Sequence, residues 1–282
     1  MIVVTSGASI RGGTIMRSFS FGAVYKRFFH LMGAHFPLIF TTALLLIFLP
    51  TLGVLYTLVA EFHLPVTALS DRLDTFDGNG WLYSIAGRVT LYILKILAIS
   101  IVTEAMIRRA SGKTIGSGQL IGNAFANLIP LFFVAISVAM IVIGGTILLI
   151  VPGIIWMLAT SVAMPAYIDH KGLGVSDSVS KSFEMTRGHR WVLLGIFIVL
   201  LLMAIGCGIC VGLIWTVFKI AIIRMGAPTL AGLPLLDIGE AVVNGLTSSI
   251  EMLGIVMTAA QYLTLRESKG KASPELMAEV FS

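Results

Sequence analysis

Six apolar stretches, each near or above the length that carries a helix across a bilayer, constrain this chain more than any other feature. A helix rises about 1.5 Å per residue, so roughly 20 apolar residues cross a hydrocarbon core about 30 Å thick. Between charged or Gly/Pro-rich breaks, such runs fall at 36–60, 81–106, 130–151, 152–168, 191–218 and 238–265. Trp81, Trp191 and Trp215 are placed at run ends, where an indole prefers the headgroup layer. Of 282 residues, 57% are hydrophobic and 12% charged, against roughly 45–50% and about 25% in soluble domains. A soluble globule has no interior for this much apolar surface. A disordered chain, a disulfide scaffold and an ordinary cytosolic enzyme are thereby excluded, and the expected fold is an all-α integral membrane protein with six transmembrane helices.

The formal charge of +5 does not point to nucleic acid, because the basic residues are scattered between apolar blocks rather than gathered on one soluble face. They are instead distributed by side. Arg11, Arg17, Lys26 and Arg27 precede the first run, Arg108, Arg109 and Lys113 follow the second, Lys171, Lys181, Arg187 and Arg190 follow the fourth, and Arg266, Lys269 and Lys271 follow the sixth. The opposite side holds Arg72, Lys219 and Arg224, with the acidic Glu61, Asp71, Asp74 and Asp77. The positive-inside rule then places both termini in the cytoplasm. The expected organisation is a flexible N-terminal tail at 1–19, a single six-helix membrane domain at 20–266 and a cytoplasmic tail at 267–282. No short apolar core near Met1 marks a cleavable signal peptide, and Met16 is an alternative start to Met1.

Three amphipathic stretches precede the odd-numbered runs. Phe21, Val24, Phe28 and Met32 recur at helical spacing before the first, Leu120, Ala124 and Leu128 before the third, and Val175, Val179 and Phe183 before the fifth. Ser117 and Ser176 are placed to cap the second and third stretches, with Asp177 in the first turn of the third. Each is too short to cross a membrane, so the chain reads as three repeats of an interfacial amphipathic helix followed by a two-span hairpin. Lys26, Arg27, Lys181, Arg187 and Arg190 are the expected contacts to anionic lipid headgroups.

Val151-Pro152-Gly153-Ile154-Ile155-Trp156, the run Ser182-x-x-x-Thr186-x-Gly188-x-x-Trp191, and Tyr262-x-x-x-Arg266 near the end resemble motifs of the membrane domain of bacterial glycerophosphoryl diester phosphodiesterases and of related six-span inner-membrane proteins. The resemblance covers roughly 20–281. It implies a multi-pass protein of the bacterial inner membrane. It does not imply hydrolysis, which in the fused enzymes belongs to a separate soluble barrel with no counterpart in these residues.

Ionisable groups inside apolar runs cost at least ~2.5–3.5 kcal/mol at the bilayer centre and find partners. The second run carries Ser84, Arg88, Tyr92 and Lys95 on one helical face, and the sixth carries Glu240, Asn244, Ser248 and Glu251. These faces are expected to pack together, with Lys95 paired to Glu251 at equal depth and Arg88 near Asn244. The pair is either structural or an ion-coupling site. Thr247, Ser249, Thr258 and Gln261 make the sixth run the expected lining of any cavity. In the fifth run Gly208 and Gly212 form a G-x-x-x-G offset by Gly206 and Cys210, a helix-packing surface for which Gly144 and Gly145 are the expected partners. Cys207 and Cys210 lack the further soft ligands that zinc requires.

All five His residues (His30, His35, His63, His170 and His189) lie outside or at the edges of the runs, and no H-E-x-x-H, G-x-S-x-G or phosphate-cradling Gly loop occurs. The expectation is a non-catalytic protein without metal or cofactor, acting as a lipid-interacting membrane scaffold or accessory module. The alternative is a transporter or channel for a small solute or ion, with its polar site between the second and sixth runs; apart from Pro50 the runs lack the mid-membrane breaks common in such folds. Membrane lipids are the expected partners and nucleic acid is not. A protein partner and the oligomeric state are not legible.

Overall fold

The computed structural model describes residues 19–54, 80–113, 115–170, 173–226, 229–230 and 233–270. These form nine helices: α1 (Phe21–Ala34), α2 (Phe36–Val54), α3 (Gly80–Ala110), α4 (Ser117–Leu148), α5 (Ile150–Thr160), α6 (Ala163–Asp169), α7 (Val175–Thr186), α8 (Arg190–Arg224) and α9 (Leu235–Gly270). Thr229–Leu230 and Leu233–Pro234 pair as a short antiparallel ribbon between α8 and α9. Six segments are long and apolar enough to cross a membrane: Phe36–Val54, Ile85–Ala110, Ser117–Leu148, Ile150–Asp169, Arg190–Arg224 and Ile238–Lys269. The N-terminal tail before Phe19, the acidic loop after the first span, and the chain beyond Gly270 lie outside the described residues.

Local chemistry sets the helix boundaries. Ser20 caps α1 by accepting from Ala23 N at 3.4 Å, and Val24, Phe28 and Leu31 bury one face. The chain breaks at His35, and Pro37 opens α2 in its first turn, where a missing N–H costs nothing. A π-helical turn at Leu44–Phe48 precedes Pro50, which has no N–H to give the preceding turn. Gly188, at φ 88°, provides the left-handed turn that separates α7 from α8.

The three stretches expected to be interfacial helices differ in form. α1 and α7 are separate amphipathic helices, each leading into a longer one. The second expected interfacial helix is instead the first part of α4, which continues from Ser117 through Pro130 to Leu148. Proline alone removes one hydrogen bond and bends a helix; the other two junctions add a His-Phe-Pro corner or a left-handed glycine, and α4 has neither at this point. The fourth span is also divided, by a turn at 161–162 between α5 and α6.

α4 and α5 are joined through Leu149 alone, which is extended, and this tight hairpin needs glycine. A Cβ on Gly153 would sit 2.9 Å from Thr146 Cα, and one on Gly145 would sit 3.0 Å from Gly153 Cα. Gly208 and Gly212 behave differently: a methyl at either meets nothing within 4 Å. The expected packing of the G-x-x-x-G against Gly144 and Gly145 is therefore not made within the described residues. Close approach is used elsewhere, at Gly239 against the Trp215 ring and at Gly245 against Phe48. Trp215 accordingly lies within α8 rather than at its end.

Most of the buried core lies toward one end of the bundle. On α3 it begins at Ile96 and continues through Ile107, and on α9 it runs from Met252 to Leu265. α1 packs across this end, tied to α9 by Arg27 and Glu267 at 2.6 Å. Lys26, Arg109, Lys181, Arg187 and Arg266 belong to the same end, hereafter the basic end. α8 has 35 residues, about 52 Å of helix, and exposes Ile198, Leu202, Ile209, Leu213 and Val217 along its length. Trp191, 84% exposed at its first turn, is placed as an interfacial anchor.

Candidate functional site

The structure brings Lys95 and Glu251 into direct contact as an ion pair between α3 and α9. Their side chains are 35% and 50% exposed, so the pair is not sealed inside the bundle, and Lys95 lines an opening beside it. That opening is a cavity of about 210 Å³ lined by Leu46, Ile47 and Thr51 of α2, Arg88, Leu91, Tyr92 and Lys95 of α3, and Ser248 of α9. Its α2 wall is built on the π-helical turn, and Thr51 Oγ1 donates to Ile47 O at 2.6 Å. Polar groups and aliphatic side chains thus share one lateral pocket. Such a lining takes amphiphiles or small polar solutes.

Other residues of the expected polar faces are arranged differently. Asn244 is exposed and donates to Glu240 O, one turn back on α9, at 3.0 Å. Glu240 pairs with Lys219 of α8 at 2.7 Å, a tie the sequence reading did not include. Arg88 lines the cavity beside Ser248. The side chain of Ser84 lies outside the described residues.

Among the expected headgroup contacts, Arg27 pairs with Glu267 and ties α1 to α9. Lys26 and Arg187 are exposed, and Lys181 is half-buried. Arg190 has its Nε buried without a hydrogen-bond partner among the described residues.

Sequence reasoning missed the most deeply buried acid. Glu104, 1% exposed on α3, accepts from Arg108 Nε and from Asn123 Nδ2 of α4, each at 2.8 Å. Glu104 falls inside the second apolar run at 81–106 but was not counted among its polar residues; the i, i+4 spacing to Arg108 was the available signal. A second network joins α6 to α9: Tyr262 Oη donates to Asp169 Oδ2 at 2.5 Å and Arg266 Nη1 to the same oxygen at 3.0 Å. Ser182 and Thr186 of α7 donate to Ala159 O of α5 at 2.7 and 3.3 Å. The Tyr-x-x-x-Arg and Ser-x-x-x-Thr patterns are thus helix-to-helix ties, and the Gly of Pro-Gly is the close approach at Thr146.

Compared with family models, curated proteins and solved structures, the chain matches none.

Proposed function

We propose that the chain is a non-catalytic, lipid-interacting module of a bacterial inner membrane, with both termini cytoplasmic, that takes an amphiphile laterally at the Lys95–Glu251 opening. One observation carries this reading. Immediately toward the basic end from the pair, the facing surfaces of α3 and α9 are closed by Ile96, Ala98, Val102 and Met106 and by Met252, Val256, Met257 and Ala260, all essentially without exposure. A solute moving along the bundle axis meets a packed apolar layer, whereas a lipid entering from the side does not have to cross it. Interior packing of this density does not part without cost. The exposed Lys26 and Arg187 on and beside α1 and α7 suit the inner headgroup layer, where each basic group contributes about 1 kcal/mol. The likeness to phosphodiesterase membrane domains agrees with a membrane module and lends no activity.

The experiment is native mass spectrometry of the purified protein released from detergent, alongside a solute-flux assay in proteoliposomes. Co-purifying lipid lost on replacing Arg88 and Ser248 with Leu and Ala, with no flux above empty vesicles, is the expected result. Flux that depends on Lys95 or Glu251 would instead establish the transporter alternative.

A further inference from the structure

A second and larger cavity, about 460 Å³, lies at the basic end. The α1–α2 corner supplies Ala34, His35, Pro37 and Leu38; the end of α3 and the following turn supply Ala105, Arg109 and Lys113; the start of α4 supplies Ile115 and Leu120. It shares no lining residue with the Lys95 opening and does not depend on how that opening is used. Its size falls within the range of small-molecule sites.

Every ionisable group in this lining is a cation or a neutral donor. His35 is only 6% exposed, and its ring makes no hydrogen bond or ion pair with any described residue. Arg109 and Lys113 are exposed at the mouth and are likewise without an acid among the described residues. Glu104, the buried acid of the same helix end, is directed at Arg108 and Asn123. A nearly buried imidazole without a partner among the described residues, beside two cations without a described counter-charge, leaves the site short of negative charge and of a hydrogen-bonding partner for the ring.

The start of α4 adds donors of the same sign. Its N-cap is Gly116, which has no side chain to cap with. Leu120 N already donates to Gly116 O, so the amides of the turn before it have no intrahelical acceptor. Ile115 and Leu120 flank that turn and both line the cavity. A helix start of this length carries a partial positive charge and suits an anion with several oxygens. The aliphatic walls of Leu38, Ile115 and Leu120 suit a non-polar body attached to it.

We propose that this cavity binds a phosphate ester, its phosphate held by His35, Arg109, Lys113 and the first turn of α4, and its non-polar portion against Leu38 and Leu120. A guanidinium fork and an ammonium point charge recognise phosphate oxygens in this way. The positive character of the site also appears in His35 itself, whose pKa lies below the ordinary imidazole value through burial and the nearby Arg109 and His30. The same chemistry is offered by a lipid phosphate and by a free phosphate ester.

The test uses the full chain purified in a non-ionic detergent, with binding followed by thermal shift and native mass spectrometry. Dioctanoyl phosphatidic acid, dioctanoylglycerol, glycerol 3-phosphate and inorganic phosphate are the probes. Saturable binding of phosphatidic acid but not dioctanoylglycerol is expected. Glycerol 3-phosphate binding as tightly as phosphatidic acid would identify a free ester as the ligand, and weaker binding a lipid. Lys113→Gln and Arg109→Gln, both exposed and so able to fold, are each expected to weaken binding by about tenfold, while Arg224→Gln, exposed at the far end of α8, leaves it unchanged. Equal binding of dioctanoylglycerol, no saturable binding of any phosphate probe, or affinities indifferent to both substitutions would overturn the proposal.

Discussion

Replacing Glu104 with Leu removes the acid that joins α3 to α4, and the structure allows the cost to be worked out. Glu104 Oε1 accepts from Arg108 Nε, Arg108 Nη2 and Asn123 Nδ2, each at 2.8 Å. A hydrogen bond to a charged group contributes about 1.5–3 kcal/mol. The Arg108 share is discounted because its side chain is 30% exposed and is screened; the bond to Asn123 lies deeper and keeps its full value. Breaking a buried ionic cluster from one side costs about 3–5 kcal/mol, so Glu104→Leu is expected near the lower end, about 3 kcal/mol. Glu104→Gln retains an acceptor for Asn123 and should lose less. The decisive quantity is the coupling between positions 104 and 123 in a double-mutant cycle with Asn123→Leu, read from reversible unfolding in mild detergent. Hydrogen bonds between membrane helices average about 0.6 kcal/mol, and a charge-assisted bond here should exceed about 1.5 kcal/mol. A coupling under about 0.5 kcal/mol would show that α3 and α4 are held by apolar packing and that the polar tie is incidental.

Three further outcomes are expected. Gly153→Ala drives a methyl toward the Thr146 backbone and should destabilise the chain by about 1–3 kcal/mol, whereas Gly208→Ala, with open space around it, should be neutral or stabilise by up to about 1 kcal/mol in the monomer; equal thermal shifts for the two would refute the hairpin geometry. Glu251→Gln leaves the Lys95 charge without its carboxylate and should cost no more than about 1 kcal/mol, because the pair is part-exposed and screened, and the reversed pair Lys95→Glu with Glu251→Lys should recover part of it in the same unfolding measurement; a reversed pair no better than either single change would mean that the pair contributes nothing. Burial first, then Arg109 and His30, hold the His35 pKa below its ordinary value, so the unfolded chain takes up a proton that the folded one refuses. Stability is therefore full above about pH 6.5 and falls as the pH drops below it, and His35→Leu should flatten the dependence of unfolding midpoint on pH between 7 and 5; parallel wild-type and variant curves would exclude His35 as the titrating group.

The spans were legible because hydropathy over some twenty residues is a sum, and a sum tolerates local error. The Lys95–Glu251 contact was legible for a related reason: two charges in long apolar runs have few alternatives, and their depth could be counted from the run ends. Interfacial helices were harder. An apolar stripe says that a face is buried, but not whether the helix stops, and α4 continues through Pro130 because nothing beside the proline turns the chain. Glycine spacing misled most. Gly208 and Gly212 fit a packing motif and face open space, while Gly239 and Gly245 fit no motif and meet another helix; which glycine is approached depends on helix rotation, and that is fixed by distant residues. The Arg27 tie was not legible for the same reason, since a basic residue on an amphipathic helix looks alike whether or not Glu267 lies beside it.

The distribution of polar ties bears on how the lateral opening can change. At the basic end α9 is joined to α1 through Glu267 and Arg27, to α6 through Tyr262, Arg266 and Asp169, and to α7 through Lys269 and Glu184 O. In the other half the described charged ties of α9 are Glu251 to Lys95 and Glu240 to Lys219, with glycine contacts to Phe48 and Trp215. Several independent ties around one end resist separation together, whereas a single exposed ion pair can exchange its partner for a headgroup or water. Any widening between α3 and α9 should therefore begin at Lys95 and Glu251 and stop at the Met252 layer. An occupant that pairs with Lys95 would widen the opening without disturbing the basic end, and hydrogen exchange that rises in 85–95 of α3 but not in 96–107 would record that motion.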